Sequence, residues 1–260
     1  MTFYLALGAI AGLVAGLLGV GGGLIIVPAL AVLFAREGID PAVIMHLAIG
    51  TSLASIVFTS LSSVWAHHRH GAVRWAEVGR LAPGIVLGAW LGAAVADMLP
   101  AAGLRRIFGL FELYVATQMA FGFRPAPHRR LPGRWGMGGA GLLIGGVSAI
   151  VGIGGGTLTV PFLAWCNVSM REAVATSAAC GLPIALAGAA GFVSMGLNAT
   201  GLPPATLGYV HLYALLGIIA ASMLFAPLGA RLAHRLPADR LRQVFAVLLY
   251  ALAAYMLFGN

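Results

Sequence analysis

The sequence predicts an all-α polytopic membrane protein of two inverted repeats, each a glycine-broken helical hairpin plus three transmembrane helices. Three observations lead there. Hydrophobic residues make up 60% of the 260 positions and charged residues only 8%, where a soluble domain carries about 25% charge to wet its surface. A glycine-rich motif occurs near the start of each half of the chain. The arginines sort to one side of a membrane only if the second half is inverted relative to the first.

Apolar runs of roughly 20 residues, the length that spans a ~30 Å hydrocarbon core, recur along the whole chain. They fall near 2–35, 41–65, 78–98 and 103–123, then near 136–165, 171–195, 206–230 and 240–258. The first run, MTFYLALGAIAGLVAGLLGV, lacks a basic leader and a cleavage site, so it reads as a membrane segment rather than a signal peptide. Residues 124–135 are rich in proline and arginine and divide a first membrane repeat (1–123) from a second (136–260).

The duplication is explicit. GVGGGLIIVP at 19–28 returns as GIGGGTLTVP at 152–161, and Thr51-Ser52 returns as Thr176-Ser177. Leu91-Gly92-Ala93, Leu99-Pro100 and Leu104-Arg105 return in the same order as Leu228-Gly229-Ala230, Leu236-Pro237 and Leu241-Arg242.

All 15 basic residues are arginines in short connections, against seven acidic residues. No basic helical face or aromatic interleaving accompanies them, so the net charge of +8 is membrane topology rather than a nucleic-acid surface. If each glycine-broken unit crossed the bilayer once, the arginines would divide seven against eight. If each is a hairpin, only Arg36, Arg105 and Arg106 oppose the other twelve. The second arrangement obeys the positive-inside rule. It makes the linker cytoplasmic and both termini periplasmic in a bacterial inner (cytoplasmic) membrane.

Three glycines followed by a proline make a poor helix, at about 1 kcal/mol per glycine and about 3 for the proline. Proline suits a first helical turn, so the broken units are expected to restart near Pro28 and Pro161 after partly extended GGGLIIV and GGGTLTV. Irregular backbone at membrane depth is tolerated only when it is buried in protein or lines a cavity. A pair of breaks in corresponding places of an inverted repeat marks a transporter's binding site. Helix N-termini carry free N–H donors and about half a positive charge, which fits an anion. The candidate ligands are Gly21, Gly22, Gly23, Gly154, Gly155 and Gly156, joined by the hydroxyls of Thr51, Ser52, Thr157, Thr176 and Ser177, with Thr159 on the same run. Gly84, Gly88 and Gly92 instead form a GxxxGxxxG ladder that reads as helix packing. No strand precedes GVGGG and no acidic ribose partner follows, so a nucleotide site is excluded.

The paired GxGGG…VP element resembles the TauE/SafE sulfite-exporter family, whose duplicated four-plus-four membrane architecture would cover this whole chain. That resemblance implies a secondary transporter of sulfite, a sulfonate or a related organosulfur anion, with that anion and the bilayer as partners. It does not choose among the anions.

Glu112 lies about nine residues from either end of its run, roughly 13 Å deep at 1.5 Å per residue. At that depth a carboxyl should face the protein interior and either find a partner or be protonated. It is a candidate proton carrier, although its repeat counterpart is Leu249. His46 and His211 can titrate near neutral pH and are weaker candidates. Trp65, Trp75, Trp135 and Trp165 lie near run ends as interfacial anchors. No metal or cofactor is implied, since Cys166 and Cys180 have no ligand spacing. The chain is not read as an enzyme. An intramembrane serine protease using Ser52 with His46 or His211 lacks a nucleophile motif, while an anion channel could use the same backbone site.

The topology has a direct test. A reporter fused after Asn260 is expected to be active only when it requires the periplasm. Activity confined to a cytoplasm-requiring reporter would overturn the orientation.

Overall fold

The computed structural model describes residues 2–18, 22–69, 71–122, 130–233 and 238–259. They form ten α-helices and one two-stranded hairpin. In order these are α1 (Thr2–Leu18), α2 (Gly23–Arg36), α3 (Ile44–Arg69), α4 (Trp75–Asp97), α5 (Ala101–Phe121), α6 (Arg134–Val151), α7 (Gly156–Trp165), α8 (Met170–Gly196), β1 (Thr206–Leu207), β2 (Val210–His211), α9 (Leu212–Ala233) and α10 (Ala238–Phe258). Five of them (α3, α4, α6, α8 and most of α9) are long and apolar enough to cross a bilayer. The protein is an all-α polytopic membrane protein.

Helix boundaries follow local chemistry. Ser169 accepts the Glu172 N–H at the start of α8, the Ser-x-x-Glu arrangement of a capping box. Gly122 and Gly152 close α5 and α6 with left-handed backbone at φ 65° and 77°, the conformation glycine adopts at no steric cost. One expected helix starts late. The run at 206–230 begins as a hairpin pairing Thr206 with His211 and Leu207 with Val210, and α9 starts only at Leu212. Gly208, at φ 53°, makes the tight turn, and a Cβ there would meet the Val193 carbonyl.

Both glycine-broken units are hairpins that return to their starting face. The Tyr4 hydroxyl at the start of α1 donates to Glu37 Oε2, just past α2, at 2.6 Å. Leu131, just before α6, packs with Leu163 and Val168 at the end of α7. The inversion is equally plain in the contacts between equivalent helices. Along α3 and α8, Gly50 meets Phe192, Leu53 meets Gly188 and Ser60 meets Gly181, so the pair is antiparallel. Along α5 and α10, Gly109 meets Leu257, and Thr117 accepts from Tyr250.

The remaining seams cross between halves. Gly84, Gly88 and Gly92 of α4 lie on Gly138, Leu142 and Gly146 of α6. Gly8 and Gly12 of α1 lie on Ile218 and Ser222 of α9. Each half's first helix therefore runs parallel to the other half's fourth, and the ladder read as packing is packing. Lipid offers helices no hydrophobic reason to associate, so close backbone approach at small residues supplies the attraction. The buried centre is α2, α3 and α8, including Leu24, Leu30, Phe34, Leu47, Leu53 and Ile184.

Gly88→Val would drive a branched side chain into the Leu142 carbonyl. A loss of roughly 1–3 kcal/mol from overpacking is expected, read as a lower melting temperature in detergent. Gly139→Ala, whose Cβ meets nothing within 4 Å, should leave melting unchanged.

Candidate functional site

The two glycine breaks, far apart in sequence, touch. A Cβ on Gly23 would lie 2.6 Å from the Gly152 carbonyl oxygen and 3.0 Å from Ile153 Cα. In the second break, the N–H groups of Gly152 and Ile153 donate to Ser148 O at 2.9 and 3.0 Å, closing α6. Gly155 then opens α7. In the first, Gly22 opens α2, while Gly21 lies outside the described residues. From this meeting point α2 runs to the face carrying Glu37, and α7 runs to the opposite face. The α2 N-terminus thus lies in the buried centre against the second break, which opens α7 three residues further on, and each of these helices presents first-turn N–H groups.

The helices restart earlier than the prolines imply. α2 begins at Gly23 and α7 at Gly156, so Pro28 and Pro161 each fall at the sixth helical position. The expected extended stretches are instead first turns. Proline there cannot donate to the carbonyl four residues back, which leaves Leu24 O and Thr157 O without their usual helical partner. Gly22 and Gly155 adopt φ −71° and −64°, which any residue tolerates, and only Gly152 among the described break glycines has positive φ. What demands glycine at 155 is proximity. A Cβ would meet Ser177 O at 2.8 Å and Gly181 N at 3.1 Å. Gly154 is different, with only the Ile56 Cγ2 methyl at 3.5 Å.

The hydroxyls divide into braces and free groups. Ser52 donates to the Gly152 carbonyl at 2.8 Å, tying α3 to the other half's break. Thr51 accepts the His211 N–H at 2.9 Å and Thr176 accepts the Arg74 N–H at 3.1 Å. Those two donors stand at the starts of α9 and α4, so the threonines cap equivalent helices in opposite halves. Ser177 donates within its own helix to Val174 O. Thr157 and Thr159 in α7 are buried, and their hydroxyls have no partner among the described residues. Ser148, one turn before Gly152, is buried with a free hydroxyl too. The repeat itself carries a signal for Ser148, because the positions matching 148, 157 and 159 are Ala15, Leu24 and Ile26. Polarity was added to one break only.

Glu112 is fully buried in α5, with neither carboxyl oxygen bonded among the described residues. His46 is buried, its Nε2 3.1 Å from the Ala96 carbonyl; a carbonyl only accepts, so Nε2 carries the proton. The Ala214 N–H donates to His211 Nδ1 at 3.2 Å, making that imidazole the cap of α9. Among the described residues neither histidine has a bond to the glycine breaks. Every described arginine lies within two turns of a helix end or in a connection. Among the described residues no group of three His, Cys, Asp or Glu could hold a metal.

Comparison with known proteins agrees with this architecture. The model of the family described as sulfite exporter TauE/SafE matches residues 4–256. A probable membrane transporter protein of Haemophilus influenzae is 36% identical over 260 residues, covering 97% of this chain and 96% of that one. Probable membrane transporter proteins of Methanocaldococcus jannaschii and Xylella fastidiosa (strain Temecula1) are 26% and 30% identical, covering 99% and 97% of this chain and 95% and 93% of theirs. No solved structure matches.

Burial lowers the His211 pKa from its ordinary 6.5, against the opposing pull of the Glu37 carboxylate. A proton on Nδ1 would also break the α9 cap. The unfolded chain therefore takes up this proton first, and the stability present above about pH 6.5 is lost as pH falls. Melting temperature in detergent is expected to drop below that pH, and to drop less in His211→Asn, which keeps a cap without titrating.

Proposed function

The chain belongs to the sulfite exporter TauE/SafE family of membrane transporters, and from that premise we propose that it exports a small sulfur-containing anion, sulfite or a short sulfonate. The site is the meeting point of the two glycine breaks. The observation that carries this reading is the contact of the α2 N-terminus with the second break, three residues before α7 opens, in the buried centre beside the free hydroxyls of Ser148, Thr157 and Thr159. N–H dipoles and hydroxyls favour an anion there, and the α6 carbonyls that could favour a cation are partly occupied by Gly152 N, Ile153 N and Ser52. The contact between the breaks supports a gated carrier over an open channel.

Orientation follows from the arginines. The ends of α2 and α4, the start of α5 and the end of α10 share one face, and it carries Arg36, Arg105 and Arg106. The other described arginines lie at the opposite face, which the positive-inside rule makes cytoplasmic. An anion held by dipoles alone binds modestly and releases easily. The inside-negative potential drives it outward with about 2.3 kcal/mol per charge per 100 mV, so export requires no coupling ion and no titration of Glu112, His46 or His211.

The test is efflux of sulfite from loaded proteoliposomes under an imposed potassium-diffusion potential, at equal pH on both sides. Efflux should rise with the potential and survive Glu112→Gln. It should fall at least tenfold in Gly154→Val, a position where packing leaves room, without loss of folded protein. Efflux that ignores the potential, follows a pH gradient and dies in Glu112→Gln would make Glu112 a proton carrier. Full activity in Gly154→Val would move the site elsewhere.

A further inference from the structure

A groove of about 830 Å³ opens where the first turns of α4 and α6 meet, on the arginine-rich face. We propose that it binds the headgroup of an anionic phospholipid from the surrounding leaflet. Arg80 and Arg134 line it from the two helices. Both are exposed, and neither pairs with a carboxylate among the described residues; the nearby Glu77 is already engaged by Arg74 at 2.9 Å. Two guanidinium groups facing one groove present the donor geometry that a phosphodiester accepts.

Three features favour a lipid over a soluble anion. Trp75 and Trp135 flank the arginines. The Trp75 indole N–H is held by His68 Nδ1 at 3.2 Å, while Trp135 is 96% exposed, as befits side chains at headgroup level. The floor has been cleared, because a Cβ on Gly79 or Gly138 would meet nothing within 4 Å. Toward the membrane interior the groove ends at Pro83, and the same helices go on to expose Leu87 and Leu143, a surface for acyl chains. Behind it the α4–α6 seam is closed by Gly84 against Gly138 and Gly88 against Leu142. The groove therefore leads to lipid and not to the glycine breaks. It is a lipid site separate from the transport path, at a seam that joins the two halves, and basic pockets between membrane helices suit such headgroups.

Native mass spectrometry of the purified full chain, incubated in detergent with equal phosphatidylglycerol and phosphatidylethanolamine, tests this. Phosphatidylglycerol should be retained preferentially. One fewer molecule should be retained by the Arg80→Gln/Arg134→Gln double variant and, independently, by Gly138→Leu, which fills the groove without touching charge. Arg69→Gln, on the same face but outside the groove, should keep the full count, and millimolar inorganic phosphate should not displace the lipid. Equal retention of both lipids would overturn the proposal. So would displacement by phosphate, an equal loss in Arg69→Gln, or a full count in the Gly138→Leu protein, whatever the folding of the double variant.

Discussion

Backbone polar groups in a bilayer must find partners inside the protein, because hydrocarbon offers none. A helix broken halfway across the membrane violates that rule at two ends at once. The structure meets the constraint by placing each break against the other and packing α3 and α8 on the second. Gly152 N and Ile153 N turn back onto Ser148 O, and Ser52 reaches across from the first half to the Gly152 carbonyl. Neither break could be buried by its own half alone. The intertwining of the halves, with α1 on α9 and α4 on α6, follows from the same need, since it brings two chain segments 130-odd residues apart into one core.

Symmetry then separates features shared by the halves from features of one half. Features present in both halves are braces: Thr51 and Thr176 on the starts of α9 and α4, proline at the sixth position of α2 and α7, and the two glycine seams. Other polar groups are present in one half only. Ser148, Thr157 and Thr159 are set against Ala15, Leu24 and Ile26, and Glu112 against Leu249. A buried hydroxyl left without a partner costs on the order of 1–3 kcal/mol. Three such groups around one break are a cost that the symmetric scaffold does without in its other half.

Much of this was legible in the sequence. The repeat, the hairpin form of the broken units and the inversion all follow from residue spacing and arginine placement, because lipid imposes a global rule that each connection must obey. Gly84, Gly88 and Gly92 were legible as packing for the same reason. Local backbone was not. Proline preference pointed to helices starting at Pro28 and Pro161, but tertiary burial lets α2 and α7 start five residues earlier and absorb the missing donor. The sequence singled out Thr51 and Thr176 as hydroxyls, but not that each accepts an N–H group of the opposite half. A contact between positions 51 and 211, or 176 and 74, leaves no trace in periodicity. The hairpin at 206–211 hid inside an apolar run because two-residue strands have no pattern of their own.

The cross-half bonds also constrain how such a molecule can move. Consecutive residues of α3 grip two parts of the second half, Ser52 the break after α6 and Thr51 the start of α9. α8 grips the start of α4 through Thr176. Rocking residues 1–123 against 136–260 as rigid bodies would have to part both glycine seams and all three bonds together. A smaller rearrangement costs far less. The second break touches α3 through Ser52 and α8 through Gly155, whereas Gly154 between them has room. Breaking the Ser52–Gly152 bond, at a net cost of about 1 kcal/mol, would free the Gly152 carbonyl while α4–α6 and α1–α9 stay closed. The fold thus concentrates its cheapest opening at the point where its two glycine breaks meet.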